Sequence, residues 1–227
     1  MQKYRILVSA AILGMILTLL IPACRKKNQY ADSPVIELRD TEKNSMDFSA
    51  VKRMIDTYDF FDNRKNRQGR FYGNLSQQEL KGEVVVLDKR TRLMWMAVEL
   101  NDSVWQKNKA NQQWFKTHSY PDAETLIRNF NQGIGYAGFR DWRIPTLAEA
   151  ASLLRKRKNA RSLFLPALFS PGDSNTPLIY IWTSDYFNAS QSGRRNMIWT
   201  VSFAAGSIFK ESYRNPHFIR LVRRSGS

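Results

Sequence analysis

The sequence predicts an α+β fold: two helices flanking short antiparallel sheets joined by long loops. Three observations predict it. Residues 83–87 (EVVVL) and Leu93-Met94-Trp95 are β-rich runs on either side of a turn. Two capped helix starts follow, at Ser119 and at Thr146. Beyond them the chain is a series of short aromatic and β-branched runs punctuated by Gly, Asn and Ser.

Taken in order, residues 1–23 read as a signal peptide. Lys3 and Arg5 precede an uncharged apolar stretch that closes on Ile21-Pro22-Ala23, with a small residue before the cut. The next residue, Cys24, is the only cysteine in the chain. This junction resembles the lipobox of bacterial lipoproteins, in which the cysteine is acylated before cleavage. Pro22 and Ile21 depart from the residues common there. The alternative is an uncleaved anchor, since about 18 apolar residues are enough for a membrane helix. Arg25-Lys26-Lys27 argues against it by placing positive charge on both flanks. Acylation would hold the protein at a membrane through lipid on Cys24, because several chains together give a stable anchor. Arg25 in the position after the cysteine implies, by resemblance to lipoprotein sorting, the outer membrane of the cell envelope where one exists.

Residues 24–44 are polar and charged and read as the lipidated N-terminus and a flexible linker. Residues 45–82 read as a helical extension followed by a basic loop. Asp47 or Ser45 can cap the helix, and Phe48, Val51, Ile55 and Tyr58 recur at helical spacing. The loop, residues 62–74 (DNRKNRQGRFYGN), is basic and contains glycine.

The main domain is assigned to residues 83–227. Its hairpin turns at Asp88-Lys89-Arg90-Thr91, where aspartate favours turn initiation. The first helix has Ser119 as cap, Pro121 and Asp122 in its first turn, and a buried face of Ala123, Leu126, Ile127 and Phe130. The second opens on a capping box, Thr146 with Glu149 three residues on. Its apolar residues are Leu147, Ala150, Ala151 and Leu154. The tail strands are placed at residues 180–183, 198–203, 207–209 and 218–222.

Several of these pieces, in this order, resemble one family. They are residues 86–95 (VLDKRTRLMW), 135–146 (GYAGFRDWRIPT) with Glu149, 180–184 (YIWTS), 199–203 (WTVSF) with Gly206, and 218–223 (FIRLVR). The chain is identified by them as a member of the Lcl C-terminal domain family, formerly a domain of unknown function. Asp141-Trp142-Arg143-Ile144-Pro145-Thr146 is the most specific part. The resemblance implies a C-type-lectin-like fold in which first and last strands pair and two helices flank them. It also implies an exported binding or adhesion module; the domain for which the family is named is associated with sulfated glycosaminoglycans. This chain departs from the family in two ways. The cysteines often found in the first helix and last strand are missing, with Leu221 at the second position, and Arg92 replaces a turn glycine. A disulfide contributes about 2–4 kcal/mol, so the first departure bears on stability.

Trp95, Asp141, Trp142, Arg143, Pro145, Thr146, Trp182 and Trp199 are read first as structural: the tryptophans as core, and Asp141 and Arg143 as paired with backbone or each other. Direct ligand contact by Asp141-Trp142-Arg143 is the alternative. The run Arg155, Lys156, Arg157, Lys158 and Arg161 is different, because five clustered cations repel unless solvent or an anion surrounds them. It is read either as a solvated helix end or as a polyanion site in which arginines fork onto anionic groups. Arg194, Arg195, Arg220, Arg223 and Arg224 would extend that site if the fold gathered them.

The formal charge is +15, which favours anionic partners. Candidates are an anionic polysaccharide or glycosaminoglycan, or an envelope protein partner. Nucleic acid is disfavoured for an exported chain without a recognition motif. Catalysis and cofactors are not expected. There is no Gly-x-Ser-x-Gly elbow, and the histidines, His118 and His217, lack metal-ligand spacing. Asp102, Asp122, Asp141 and Asp173 form no calcium loop.

Overall fold

A computed structural model describes residues 34–38, 44–97, 119–169, 180–188 and 196–226. The signal peptide, Cys24 and most of the linker lie outside the described residues, as do His118, Asp102, Asp173 and Arg194-Arg195. The described residues form a mixed α/β structure with two four-stranded sheets. The strands are β1 (Ser45–Met46), β2 (Leu75–Leu80), β3 (Glu83–Asp88), β4 (Leu93–Met96), β5 (Ile181–Phe187), β6 (Met197–Ser202), β7 (Ser207–Ser212) and β8 (Val222–Arg224). The helices are α1 (Phe48–Tyr58), α2 (Tyr120–Gln132) and α3 (Leu147–Ala151).

One sheet has the order β2-β3-β4-β8 and is antiparallel throughout. The other has the order β1-β5-β6-β7; it is antiparallel except for β1, which runs parallel to β5. The hairpin β3–β4 lies where the sequence places it. The last strand joins through β4, with Leu93 opposite Arg224 and Trp95 opposite Val222, and does not pair with β3. It is also shifted: of the residues expected at 218–222, only Val222 falls in β8, and Phe218 makes an isolated bridge to Ile181.

Side-chain alternation along the strands explains the core. Successive residues of a strand point to opposite faces, and here both faces are covered. In β4, Leu93 and Trp95 enter one apolar cluster, whereas Met94 and Met96 enter the other. In β6, Trp199 and Val201 go to the first cluster and Ile198 to the second. The first cluster is closed by Val51 and Ile55 of α1 and Leu147 and Ala150 of α3. The second is closed by Tyr120, Ala123, Ile127 and Phe130 of α2, together with Leu221. Leu221 thus packs beside the buried face of α2, giving by burial part of what a disulfide would give by cross-linking.

The helix caps are those the sequence encodes. Asp47 accepts from Ala50 N–H at the start of α1, and Ser119 accepts from Asp122 N–H at the start of α2. At α3, Thr146 accepts from Glu149 N–H while the Glu149 carboxylate accepts from Thr146 N–H, so the capping box is complete. The helix itself is shorter than its apolar pattern. Leu153 N–H and Leu154 N–H donate three residues back, to Ala150 and Ala151, and the Ser152 hydroxyl donates to Glu149 C=O. These bonds turn the chain out of the α ladder. The basic run therefore belongs to an irregular loop, not to a helix end.

Residues 45–82, expected as an extension, are built into the same structure. Asp185, fully buried, accepts from Asn44 N–H on one oxygen and from Leu147 N–H on the other. The Trp199 indole donates to Met46 C=O at 3.0 Å. The strand β2 was not expected. It is an edge strand whose outer side is polar, and it pairs with β3 over its whole length.

Candidate functional site

The aromatic and charged residues of the Asp141–Thr146 stretch hold the frame together. Trp142 is buried and its indole donates to Tyr136 C=O at 3.1 Å, with the two rings edge to face. The backbone beside it is clamped by Asn131, whose amide bonds both Trp142 N–H and Trp142 C=O. Asp141 and Arg143 are not paired with each other: each has another side chain as partner, and Arg143 also donates to the backbone at Ile144 C=O. Arg143 forks onto Glu149 at 2.7 Å through both terminal nitrogens. Asp141 accepts from Arg223 Nε at 2.7 Å, and the Arg223 guanidinium lies 3.8 Å from the Phe139 ring centroid. Pro145 is buried, and its carbonyl accepts from Ser184 N–H. Trp95, Trp182 and Trp199 are fully buried or nearly so. The two tryptophans not yet placed, Trp105 and Trp114, are outside the described residues.

The basic run divides. Arg155 is buried, which corrects its assignment to an exposed anion site. Its guanidinium donates to Ser152 C=O at 2.8 Å and Leu154 C=O at 3.0 Å and lies over the Tyr72 ring. It satisfies carbonyls freed at the end of α3. Lys156, Arg157, Lys158 and Arg161 are exposed. Among the described residues no carboxylate forms an ion pair with any of the four. Lys156 Nζ donates to Gln68 Oε1 at 2.7 Å, and Lys158 Nζ lies 5.0 Å from the Phe164 ring centroid.

The C-terminal arginines do not extend this surface. Arg220 is fully buried, donates to Met96 C=O and Ala97 C=O, and lies over Phe169. Arg223 is held by Asp141, and Arg224 donates to Leu38 C=O and Thr91 C=O and pairs with Glu37 at 3.3 Å. Each is spent on backbone or carboxylate partners within the fold.

A neighbouring basic segment takes their place. Residues 62–70 form a closed loop built on Asp62, which is fully buried. One Asp62 oxygen accepts from Arg64 N–H, Lys65 N–H and the Ser207 hydroxyl, and the other accepts from Ile208 N–H. Lys65 sits 3.5 Å from the same carboxylate and donates to Ile208 C=O. Burial lowers the Lys65 pKa from its ordinary value, against the opposing pull of Asp62. Arg64, Arg67 and Arg70 remain exposed; Arg70 pairs with Asp59 at 3.0 Å. The sequence marked this segment as basic and gave no sign of its neighbour.

Among the described residues, no group of three or more His, Cys, Asp or Glu is placed to hold a metal ion. No helix of the described residues is long and apolar enough to cross a membrane. His217 is buried against the Trp182 and Tyr180 rings, with Glu211 3.9 Å from its Nε2. Burial lowers its pKa below the ordinary 6.5.

Residues 84–223 match the Lcl C-terminal domain, well over half of the chain. The chain belongs to the Lcl C-terminal domain family. No curated protein and no solved structure matches it. The matched span of this Lcl C-terminal domain contains the frame residues from Trp95 to Trp199 and the basic run, whereas the loop of residues 62–70 precedes it.

Proposed function

We propose that the protein is an exported lipoprotein, anchored at the cell envelope through Cys24, whose C-type-lectin-like domain binds an anionic polysaccharide or similar envelope polymer without catalysis. The observation that carries the binding reading is the set of four exposed cations, Lys156, Arg157, Lys158 and Arg161, unpaired with carboxylates among the described residues. Exposed like charges held this close gain from an anion that neutralises several at once. The burial of Trp95, Trp142, Trp182 and Trp199 supports a ligand held by charge more than by stacking on these rings. Family membership supports an exported binding module and the lectin-like topology.

The test is retention on immobilised heparin over a salt gradient, comparing the wild type with a variant in which Lys156, Arg157, Lys158 and Arg161 are alanine. The wild type is expected to elute at clearly higher salt, because exposed ionic contacts are screened progressively. Co-elution of the two would overturn the reading.

A second reading, an assembly lipoprotein with a protein partner, is favoured by one patch. Phe48 is 55% exposed although aromatic, and Lys210 Nζ lies over the Phe48 and Phe187 rings. A mainly apolar interface there would resist salt.

A further inference from the structure

We infer that the loop of residues 62–70 is a second basic arm of the anion-binding surface, so that one extended polyanion spans both arms. This rests on the polyanion reading above and adds to it a set of residues outside the family match, together with the requirement that the polymer be long enough to span both arms.

The two arms meet directly. Lys156 of one donates to Gln68 of the other at 2.7 Å, which brings the flanking residues Arg157 and Arg67 into the same neighbourhood. Beneath that contact the arms share a base. The Phe61 and Phe164 rings pack at 5.6 Å. Phe164 N–H donates to Phe203 C=O, and Arg155 N–H donates to Phe164 C=O. Asn63 N–H donates to Gly206 C=O at 2.7 Å and its side-chain amide to Ala205 C=O. Gly206 has a positive φ, and a Cβ there would meet the Phe164 ring at 2.6 Å. Three segments, residues 62–70, 155–165 and 203–206, are therefore locked in one place.

The second arm is also rigid in itself. Asp62 binds its own loop and the start of β7, as described above, while Asp62 and Asn66 exchange both backbone hydrogen bonds. A Cβ on Gly69 would lie 2.4 Å from the Phe60–Phe61 backbone, so the loop closes where only glycine fits. Arg64 and Arg67 are exposed on this loop, and no carboxylate among the described residues forms an ion pair with either. Fixed cations lose less freedom on binding than mobile ones, which favours affinity. A single sulfate or phosphate engages only the few cations nearest to it, whereas a polymer can engage those of both loops along their length.

The experiment uses the full chain purified in detergent, with heparin as the probe. Three variants are compared on the salt gradient: Arg64→Ala with Arg67→Ala, the four-fold variant of residues 156–161, and Arg128→Ala with Arg140→Ala. The last removes the same charge as the first from exposed positions outside both arms. The Arg64/Arg67 variant is expected to bind heparin about tenfold more weakly, the scale of two exposed ionic contacts. The Arg128/Arg140 variant is expected to elute with the wild type. Heparin disaccharide and inorganic sulfate are expected to compete poorly against the full chain of heparin. If the Arg64/Arg67 variant elutes with the wild type while the four-fold variant shifts, the second arm is refuted and the single-loop reading survives. If the Arg128/Arg140 variant shifts as far as the Arg64/Arg67 variant, heparin senses only net charge and the inference fails. Equal competition by the disaccharide refutes the extended ligand. If the four-fold variant does not shift, the polyanion reading itself falls.

Discussion

At the scale of single residues, two positions show how this chain meets its own constraints. Glu149 is fully buried, yet it accepts both prongs of Arg143 and the N–H of Thr146. Removing one member of a buried pair leaves its partner groups uncompensated. Glu149→Ala is therefore expected to cost about 3 kcal/mol, read as a lower urea midpoint with an unchanged slope. Glu149→Gln, which can still accept from the Thr146 N–H, is expected to cost less. Arg92 is the opposite case. Its φ is 54°, in the left-handed region, where a side chain is strained and glycine is not. Its side chain offers only an exposed pairing with Glu37 at 3.6 Å in return, and such pairs contribute little. Arg92→Gly is expected to stabilise the fold by about 0.5–1 kcal/mol, since the relieved strain exceeds the lost pairing and the extra freedom of an unfolded glycine. Equal or lower stability in thermal unfolding would show that the turn has relaxed around the arginine.

Among the elements, what the sequence disclosed depends on how local its cause is. The caps Asp47, Ser119 and Thr146 were legible because each bonds a backbone N–H within three residues of itself. The hairpin β3–β4 was legible because its two apolar runs flank a turn. The strand β2 was not: a Gln-Gln-Glu centre has no apolar alternation, and its pairing comes from β3 beside it. Nor could the sequence show that Arg155 turns inward, since its partners are carbonyls left free by the early end of α3. The site was half legible for the same reason. Charge density marked residues 155–161, but their meeting with residues 62–70 is made at Gln68, which carries no charge to announce it. A pairing between elements also sets a pH dependence. His217 lies between the Tyr180 and Trp182 rings, with Glu211 of β7 facing it. Its pKa is lowered in the folded state by burial, with Glu211 opposing. The unfolded chain therefore binds the proton more readily. Stability from this site is present above the ordinary pKa of 6.5 and is lost as pH falls below it through the folded value. Urea midpoints at pH 7.5 and pH 5 are expected to differ less in His217→Gln than in the wild type; an identical difference would remove the histidine from the account.

For the whole molecule, the question that the proposed function raises is how a chain with a formal charge of +15 would be held near an anionic ligand. Electrostatic attraction acts over about 8–10 Å at physiological salt, so a freely diffusing domain would meet an envelope polymer only in passing. A tether changes this. Residues 25–44 would join the acylated cysteine to β1 through a polar linker, and the effective concentration of a tethered site depends on the length of such a linker. On the proposed reading, anchoring and anion binding are separate devices, joined by the linker alone. The described residues agree with that separation in one respect: Ser45 and Met46 enter the sheet through β5, whereas the two basic arms are joined to each other at Gln68, Phe164 and Gly206. The separation is testable. A variant in which residues 1–24 are replaced by a signal peptide cleaved without acylation is expected to move the protein from the membrane fraction to the soluble fraction while leaving heparin elution unchanged. The four-fold variant of residues 156–161 is expected to do the reverse, remaining with the membrane and eluting early. If the variant without acylation stays with the membrane, the lipid is not the anchor. If it becomes soluble but loses heparin binding, the basic surface acts only when many copies are gathered on a membrane, and affinity would then reside in that array and not in the single domain.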